Sequence, residues 1–193
     1  MKTDYIGPNV LERLLQCLMP ENRAVLVIAA RSGLRVGDVL RLKWKQVEPC
    51  TPGKAVWVHE QKTGKNKSFC LDTEMCAELF HQRGTKRYSE YIFPNRTDIH
   101  RPRTRQAVWR DLKRAAKLYR VDGKKIRENL GPHSARKVYA VELYRQTGSL
   151  EAVQKALNHS DPAVTMLYAM ADRLTEGRLG PDRITREGSD LTP

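Results

Sequence analysis

The sequence predicts a mainly α-helical domain carrying one small antiparallel β-sheet, an α+β arrangement in which helices dominate. Three observations lead there. Apolar residues recur at three- and four-residue intervals over most of the chain, a single region from about Val47 to Leu71 holds alternating strands instead, and 193 residues suffice to bury one sizeable core.

In chain order, Val10, Leu11, Leu14, Leu15 and Leu18 follow Pro8 at helical spacing, and Pro20 ends that helix. Glu21 to Arg31 forms a more deeply buried helix (Val25, Leu26, Ile28, Ala29). Gly33 breaks it before a short third helix from about Arg35 to Lys43. An Arg opening that helix would lie close to the backbone turn, with Asp38 three residues on and able to brace it. Lys54 to His59 alternates, with Val56 and Val58 on one face, and Lys67 to Leu71 resumes extended character, so the pair reads as a hairpin. Its tip, Lys62 to Lys67, projects the ammonium groups of Lys62, Lys65 and Lys67, which suit a solvated loop or a phosphate partner. Asp72 caps a helix with Met75, Leu79 and Phe80 on its apolar side, ending near Gly84. Tyr88 to Arg103 is loop-like, with Pro94 and Pro102 as punctuation and Ile92 and Phe93 as a short edge. The helix from Thr104 to about Tyr119 turns Ala107, Trp109, Leu112, Ala115, Ala116 and Tyr119 inward. Arg105, Arg110, Lys113, Arg114 and Lys117 spread over its other faces, as in a helix lying along DNA phosphates.

Pro132 opens a helix that runs to Gly148 and places His133 and Arg136 on one face of its first turns. Ser149 caps the next, which delivers His159. Ser160 or Asp161 then caps a helix opened by Pro162, so His159 stands at an anion-favouring entrance and Tyr168 two turns inside. A Tyr among Val164, Met166 and Leu167 also fits a buried core position. The chain beyond it, 171–193, reads as a weakly structured tail.

Composition narrows the partners. The formal charge is +13, and Arg101 to Lys137 holds 13 basic residues against three acids, which points to a polyanion rather than a neutral metabolite. The cysteines Cys17, Cys50, Cys70 and Cys76 form no C-x-x-C pair and have no His at metal-ligand spacing, as expected of reduced thiols in a cytoplasmic protein. The longest apolar run, Ala24 to Ala30, is far short of the ~20 residues of a membrane span. No repeat or low-complexity block is present.

The ordered series Ser32-Gly33-Leu34-Arg35, Lys62-Thr63-Gly64-Lys65, His133-x-x-Arg136, Leu157-x-His159 and Tyr168 resembles the catalytic domain of the tyrosine recombinase (phage integrase) family, over roughly residues 8 to 170. The resemblance implies that Arg35 and Arg136 are the catalytic arginines, Lys62 the hairpin lysine, His133 and His159 the two histidine positions, and Tyr168 the nucleophile. Asp38 would orient Arg35, and Lys65, Lys67, Arg105, Arg110, Lys113, Arg114, Lys117 and Lys137 would contact DNA. Two positions depart from the family pattern: Asn158 stands where Gly is common, and Lys137 where His is common.

The chemistry fits these side chains. Two guanidiniums and an imidazole can donate to the charge that builds on a phosphodiester in transfer. A phenol with pKa ~10 needs a proton acceptor, for which His133 is the candidate, and Lys62 can protonate the departing 5′-oxygen. The bond energy is kept in a phosphotyrosine, so neither a metal nor another cofactor is expected. The expected partners are double-stranded DNA and further copies of the chain, a tetramer on DNA and a monomer in solution, with no membrane. Residues 1–170 would form the catalytic domain and the tail would pack on a neighbouring protomer. The family's N-terminal core-binding domain does not precede Met1, as expected of an excised catalytic domain or a short recombinase. Two other readings stay open: a type IB topoisomerase-like activity, and a DNA-binding regulator that keeps the fold without the chemistry.

Overall fold

The computed structural model describes residues 3–84, 89–121, 124–125 and 129–179. Along them run α1 (Pro8–Gln16), α2 (Pro20–Ser32), α3 (Val36–Val39), α4 (Trp44–Val47), β1 (Ala55–His59), β2 (Asn66–Cys70), α5 (Thr73–Arg83) and α6 (Arg105–Leu118). There follow β3 (Arg120–Val121), β4 (Lys124–Lys125), α7 (Pro132–Thr147), α8 (Leu150–Leu157), α9 (Pro162–Ala169) and α10 (Ala171–Leu179). β1 and β2 pair antiparallel, with Val58 opposite Lys67 and His59 opposite Asn66, and β3 pairs antiparallel with β4. The predicted α+β fold with dominant helices is therefore present.

α2 is the central helix because it is apolar nearly all round, burying Ala24 through Ala29, and α1, α5, α6 and α7 pack about it. Its one buried side-chain amide, Asn22, is hydrogen-bonded at both its nitrogen and its oxygen. Asn22 donates to Asp111 of α6 at 2.7 Å and accepts from Arg103 at 2.8 Å, so a polar link fixes α6 against α2. A second, smaller apolar cluster of Ala140, Val153, Leu157 and Ala169 joins α7, α8 and α9 outside the main core.

Four expectations change. The third helix stops at Val39, because the chain extends at Leu42 and Lys43 to pair with Tyr91 and Ile92 and buries Leu40 and Leu42. Ile92 and Phe93 are accordingly core rather than edge. Phe80 and Trp109 point outward: α5 buries Met75, Glu78, Leu79 and Gln82, and α6 buries Val108, Asp111, Leu112 and Ala115, phases that exclude both aromatics. The tail begins with a helix, α10, held to its own chain where Thr175 accepts from the Tyr5 amide at 3.0 Å and Asp172 pairs with Arg145 at 2.8 Å. Residues 180–193 lie outside the described residues. No helix among the described residues is long and apolar enough to cross a membrane.

Candidate active site

The site starts at the end of α2. Gly33 closes that helix at φ +64°, and a Cβ there would stand 2.5 Å from Cδ1 of Tyr139, so the turn requires glycine both for its conformation and for its space. The turn sets Arg35 at the N-cap of α3 and aims the Gly33 carbonyl at α7. There it accepts from Nη1 of Arg136 at 2.5 Å, while Nη2 donates to the Leu157 carbonyl at 2.6 Å. Arg136 is 1% exposed, and burial together with the nearby Arg35 pulls its pKa down to about 10, which leaves it cationic at neutral pH.

Between the two guanidiniums lies Glu60, a residue that sequence reasoning missed. Its Oε1 is 2.9 Å from Arg35 Nη1 and 3.7 Å from Arg136 Nη1, and its Oε2 accepts from Thr63 at 2.8 Å and from Asn158 at 3.3 Å. Burial pushes this carboxyl up, but the Thr63 hydroxyl and the two arginines more than offset that and hold it below the usual carboxylate range. A signal was available, since Glu60 continues the inward phase of Val56 and Val58. Asp38 does not do what was expected of it. It accepts from the Gln61 amide at 3.0 Å and so braces the hairpin, while the carboxylate on Arg35 is Glu60.

Lys62 and Lys65 are exposed on the hairpin, and no carboxylate among the described residues pairs with Lys62. Lys67 and Lys137 are corrected as DNA contacts. Lys67 is buried in the phase of Phe69 and donates to the Ser32 carbonyl at 2.8 Å, and Lys137 donates to the Thr3 carbonyl at 2.6 Å with its ammonium 5.8 Å over the Tyr168 ring. On α6, Arg105, Arg110, Arg114 and Lys117 are exposed, whereas Lys113 is half-buried and donates to Asn129 at 3.2 Å. Arg114 pairs with Asp111.

Tyr168 is positioned by α9, which Asp161 caps by accepting from the Ala163 amide at 2.8 Å. Its ring packs against the small cluster and meets the His159 ring edge-on at 5.1 Å, and its hydroxyl lies 3.4 Å from Nδ1 of His133. Burial raises the phenol pKa against the lowering pull of Arg136 and Arg35, so the hydroxyl is protonated at neutral pH. His133 is held below its ordinary value by burial and then by Arg136 and Arg35, which leaves it neutral and able to accept a proton. His159 faces Arg136 Nη2 at 3.3 Å through Nε2. A guanidinium only donates, so Nε2 accepts and the ring proton sits on Nδ1, 3.4 Å from the Thr165 hydroxyl. Burial and Arg136 lower the His159 pKa to about 4.

The fold thus brings Arg35, His133, Arg136, His159 and Tyr168 into one cluster, with Lys62 close enough to help depress both imidazoles. Such an arrangement can grip a phosphate through two guanidiniums and present a phenol with a neutral base beside it. Among the described residues no three His, Cys, Asp or Glu side chains converge so as to hold a metal ion.

Comparison with known proteins agrees. The sequence model of the phage integrase family matches residues 4–174. The probable integrase/recombinase YoeC of Bacillus subtilis is 27% identical over 168 residues, which cover 86% of this chain and 87% of YoeC. The tyrosine recombinase XerD of Staphylococcus aureus is 36% identical over 86 residues, 43% of this chain and 26% of XerD. A lambda integrase dimer bound to a COC′ core site shares the fold, with a TM-score of 0.68 at 20% identity over 88% of this chain and 60% of that one. This chain therefore spans most of YoeC but less than two thirds of the lambda integrase chain. The chain belongs to the phage integrase family.

Proposed function

We propose that this chain is a site-specific DNA recombinase that cleaves and rejoins strands through a 3′-phosphotyrosine at Tyr168. The observation that carries the reading is the Tyr168 hydroxyl, 3.4 Å from His133 in the free chain and beside the buried Arg136. Arg35 and Arg136 hold the non-bridging oxygens of the scissile phosphate, and His159, which accepts from Arg136, keeps that guanidinium in place. Tyr168 Oη attacks phosphorus and its proton passes to His133, while the bond to the 5′-oxygen breaks and Lys62 gives that oxygen a proton. One phosphoester is exchanged for another, and attack by a second 5′-hydroxyl reverses the sequence with both protons returned. The duplex lies along Lys65 and the exposed basic residues of α6.

Residues 1–170 act as the catalytic domain, and copies assemble on DNA as a tetramer through the segment from Leu174 onward. Leu174 is half exposed on α10. Leu174→Asp should impair multi-protomer complexes on DNA while the free chain stays folded, and unchanged assembly removes this surface.

The test uses a pool of nicked duplexes of randomised sequence, from which covalent protein–DNA adducts are recovered on denaturing gels and sequenced. A 3′ adduct that is lost in Tyr168→Phe is the expected result. An adduct that persists in that variant, or none from the unmodified chain, overturns the mechanism. Plasmid relaxation without recombinants would assign topoisomerase-like activity instead.

A further inference from the structure

Lys67 sits where the strand-transfer chemistry does not use it. It is 7% exposed, its ammonium lies 5.6 Å over the Tyr139 ring, and its Nζ donates to the Ser32 carbonyl at 2.8 Å. That bond joins two parts of the site that sequence keeps apart. At one end is β2, entered through the turn that carries Lys62. At the other is the last residue of α2, followed by Gly33, whose carbonyl holds Arg136, and by Arg35. Other ties of the hairpin are Glu60 against Arg35 at 2.9 Å, the Asp38 contact to the Gln61 amide, Gln46 on the Trp57 carbonyl at 2.9 Å, and the long contacts of Asn158 to Glu60 and to the Asn66 carbonyl, while Lys67 alone among these bonds to the Ser32 carbonyl. A buried ammonium among arginines is costly: burial and then Arg136 lower its pKa to about 7. An aliphatic side chain would fill the position opposite Val58 without that cost, so the cation is retained for placement rather than for stability.

We propose that Lys67 is a positioning residue for strand cleavage, clipping the hairpin to the Ser32–Gly33 turn so that Lys62 stands at the leaving oxygen while Arg35 and Arg136 hold the phosphate. The proposal rests on the recombinase reading above, and its test separates the two. The substrate is the duplex recovered as the adduct of the unmodified chain, made once with an ordinary phosphodiester and once with sulfur as the 5′-bridging atom. A thiolate departs without a proton, so the sulfur substrate does not depend on Lys62.

Lys67→Met should slow single-turnover cleavage of the ordinary substrate by roughly 10- to 100-fold, less than the roughly 100- to 10,000-fold worth of a general acid because Lys62 is displaced and not removed, while DNA affinity stays within about twofold. On the sulfur substrate the deficit should shrink to under about threefold, and in a Lys62→Ala background Lys67→Met should add under about twofold, because the two residues act as one unit. Lys67→Arg, which keeps a charged donor, should recover most of the rate. Equal deficits on both substrates, or additive losses with Lys62→Ala, overturn the proposal.

Hydrogen exchange reads the clip without any chemistry. Amides 60–66 should exchange faster in Lys67→Met while those of α2 and α7 do not change, and unchanged exchange in the hairpin sinks the clip. Should Lys67→Met fail to fold, Lys67→Gln goes through the same two substrates and the same exchange measurement. Failure of the unmodified chain to form any adduct removes the recombinase reading and the catalytic role of Lys67 with it, whereas normal adducts with no substrate-dependent rescue remove the Lys67 role alone.

Discussion

Arg136 and Tyr168 face the same space from seats of different construction. Arg136 is 1% exposed and gripped by the Gly33 and Leu157 carbonyls at 2.5 and 2.6 Å. Tyr168 touches His133 at 3.4 Å and rides a helix that packs on the small Ala140–Val153–Leu157–Ala169 cluster, with Val164, Met166 and Leu167 of the same helix exposed. The Arg136 guanidinium is thus held from both sides, by Gly33 at the end of the central helix and by Leu157 of the satellite, whereas the Tyr168 phenol rests on the satellite alone. For the proposed strand transfer, a preformed charge clamp with an adjustable attacking group is a physically sensible division, because electrostatic stabilisation is lost when its dipoles must reorganise, whereas a nucleophile is needed only at the instant of attack.

Paired substitutions test this contrast most strongly. Arg136→Ala should abolish adduct formation and also cost about 3–5 kcal/mol of stability, the loss expected when a buried, bonded charge is removed from its partners. Tyr168→Phe should abolish the adduct equally while shifting stability by no more than about 0.5 kcal/mol, since among the described residues its hydroxyl makes one long contact. Denaturant midpoints measured beside adduct yields check both, and an Arg136→Ala chain as stable as the unmodified one would break the contrast.

Glu60→Gln probes the clamp more gently. The amide keeps the shape and the Thr63 contact but removes the only carboxylate between Arg35 and Arg136 among the described residues, and adduct formation should slow by roughly 10- to 100-fold, less than the roughly 100- to 1,000-fold of a lost donor to the reacting oxygen because Glu60 acts through the arginines. The pH dependence has a definite sign. The folded Glu60 carboxyl sits below its ordinary value, so its contribution is complete above that ordinary value and disappears as pH falls through the folded one. Unfolding curves below about pH 4.5 should be flatter in pH for Glu60→Gln than for the unmodified chain.

His159 shifts stability with pH in the same direction as Glu60, through a base instead of an acid. Its pKa falls from 6.5 to about 4 on folding, so the unfolded chain binds more protons between those values and stability should rise with pH across that window. His159→Gln should flatten the rise, and an unchanged slope would mean that the imidazole is not buried against Arg136.

Much of the site was legible because its side chains sit at helix starts, where local chemistry fixes geometry. Pro132 and Asp161 determine where α7 and α9 begin, and with that the placement of His133, Arg136 and Tyr168. The misreadings share one cause, which is that residue type was weighted over phase. Charge alone argues for an outward Lys67 and apolarity alone for an inward Phe80 and Trp109, although the alternation of β2 and the periods of α5 and α6 put each on the other face. Glu60 was missed in the same way. α10 was invisible for another reason, since it has no apolar period of its own and is held by partners distant in sequence, Tyr5 and Arg145.

Asn158 links the two seats and yields the smallest effect. It caps α8 at φ 51°, a conformation that explains why glycine is common there, and its side chain crosses from the satellite to the hairpin, reaching Glu60 at 3.3 Å and the Asn66 carbonyl at 3.4 Å. Asn158→Gly relieves the backbone and gives up two long contacts, so stability should stay within about 0.5 kcal/mol. Asn158→Ala keeps the Cβ but loses the short polar side chain that lets asparagine adopt the left-handed conformation, and should cost about 1 kcal/mol. If the seats are independent, both variants should form adduct at rates within about threefold of the unmodified chain, as expected where no reacting group is touched. A larger loss in Asn158→Gly, at unchanged stability, would show that the side chain itself couples the nucleophile's support to the clamp, and the two seats would then have to be treated as one.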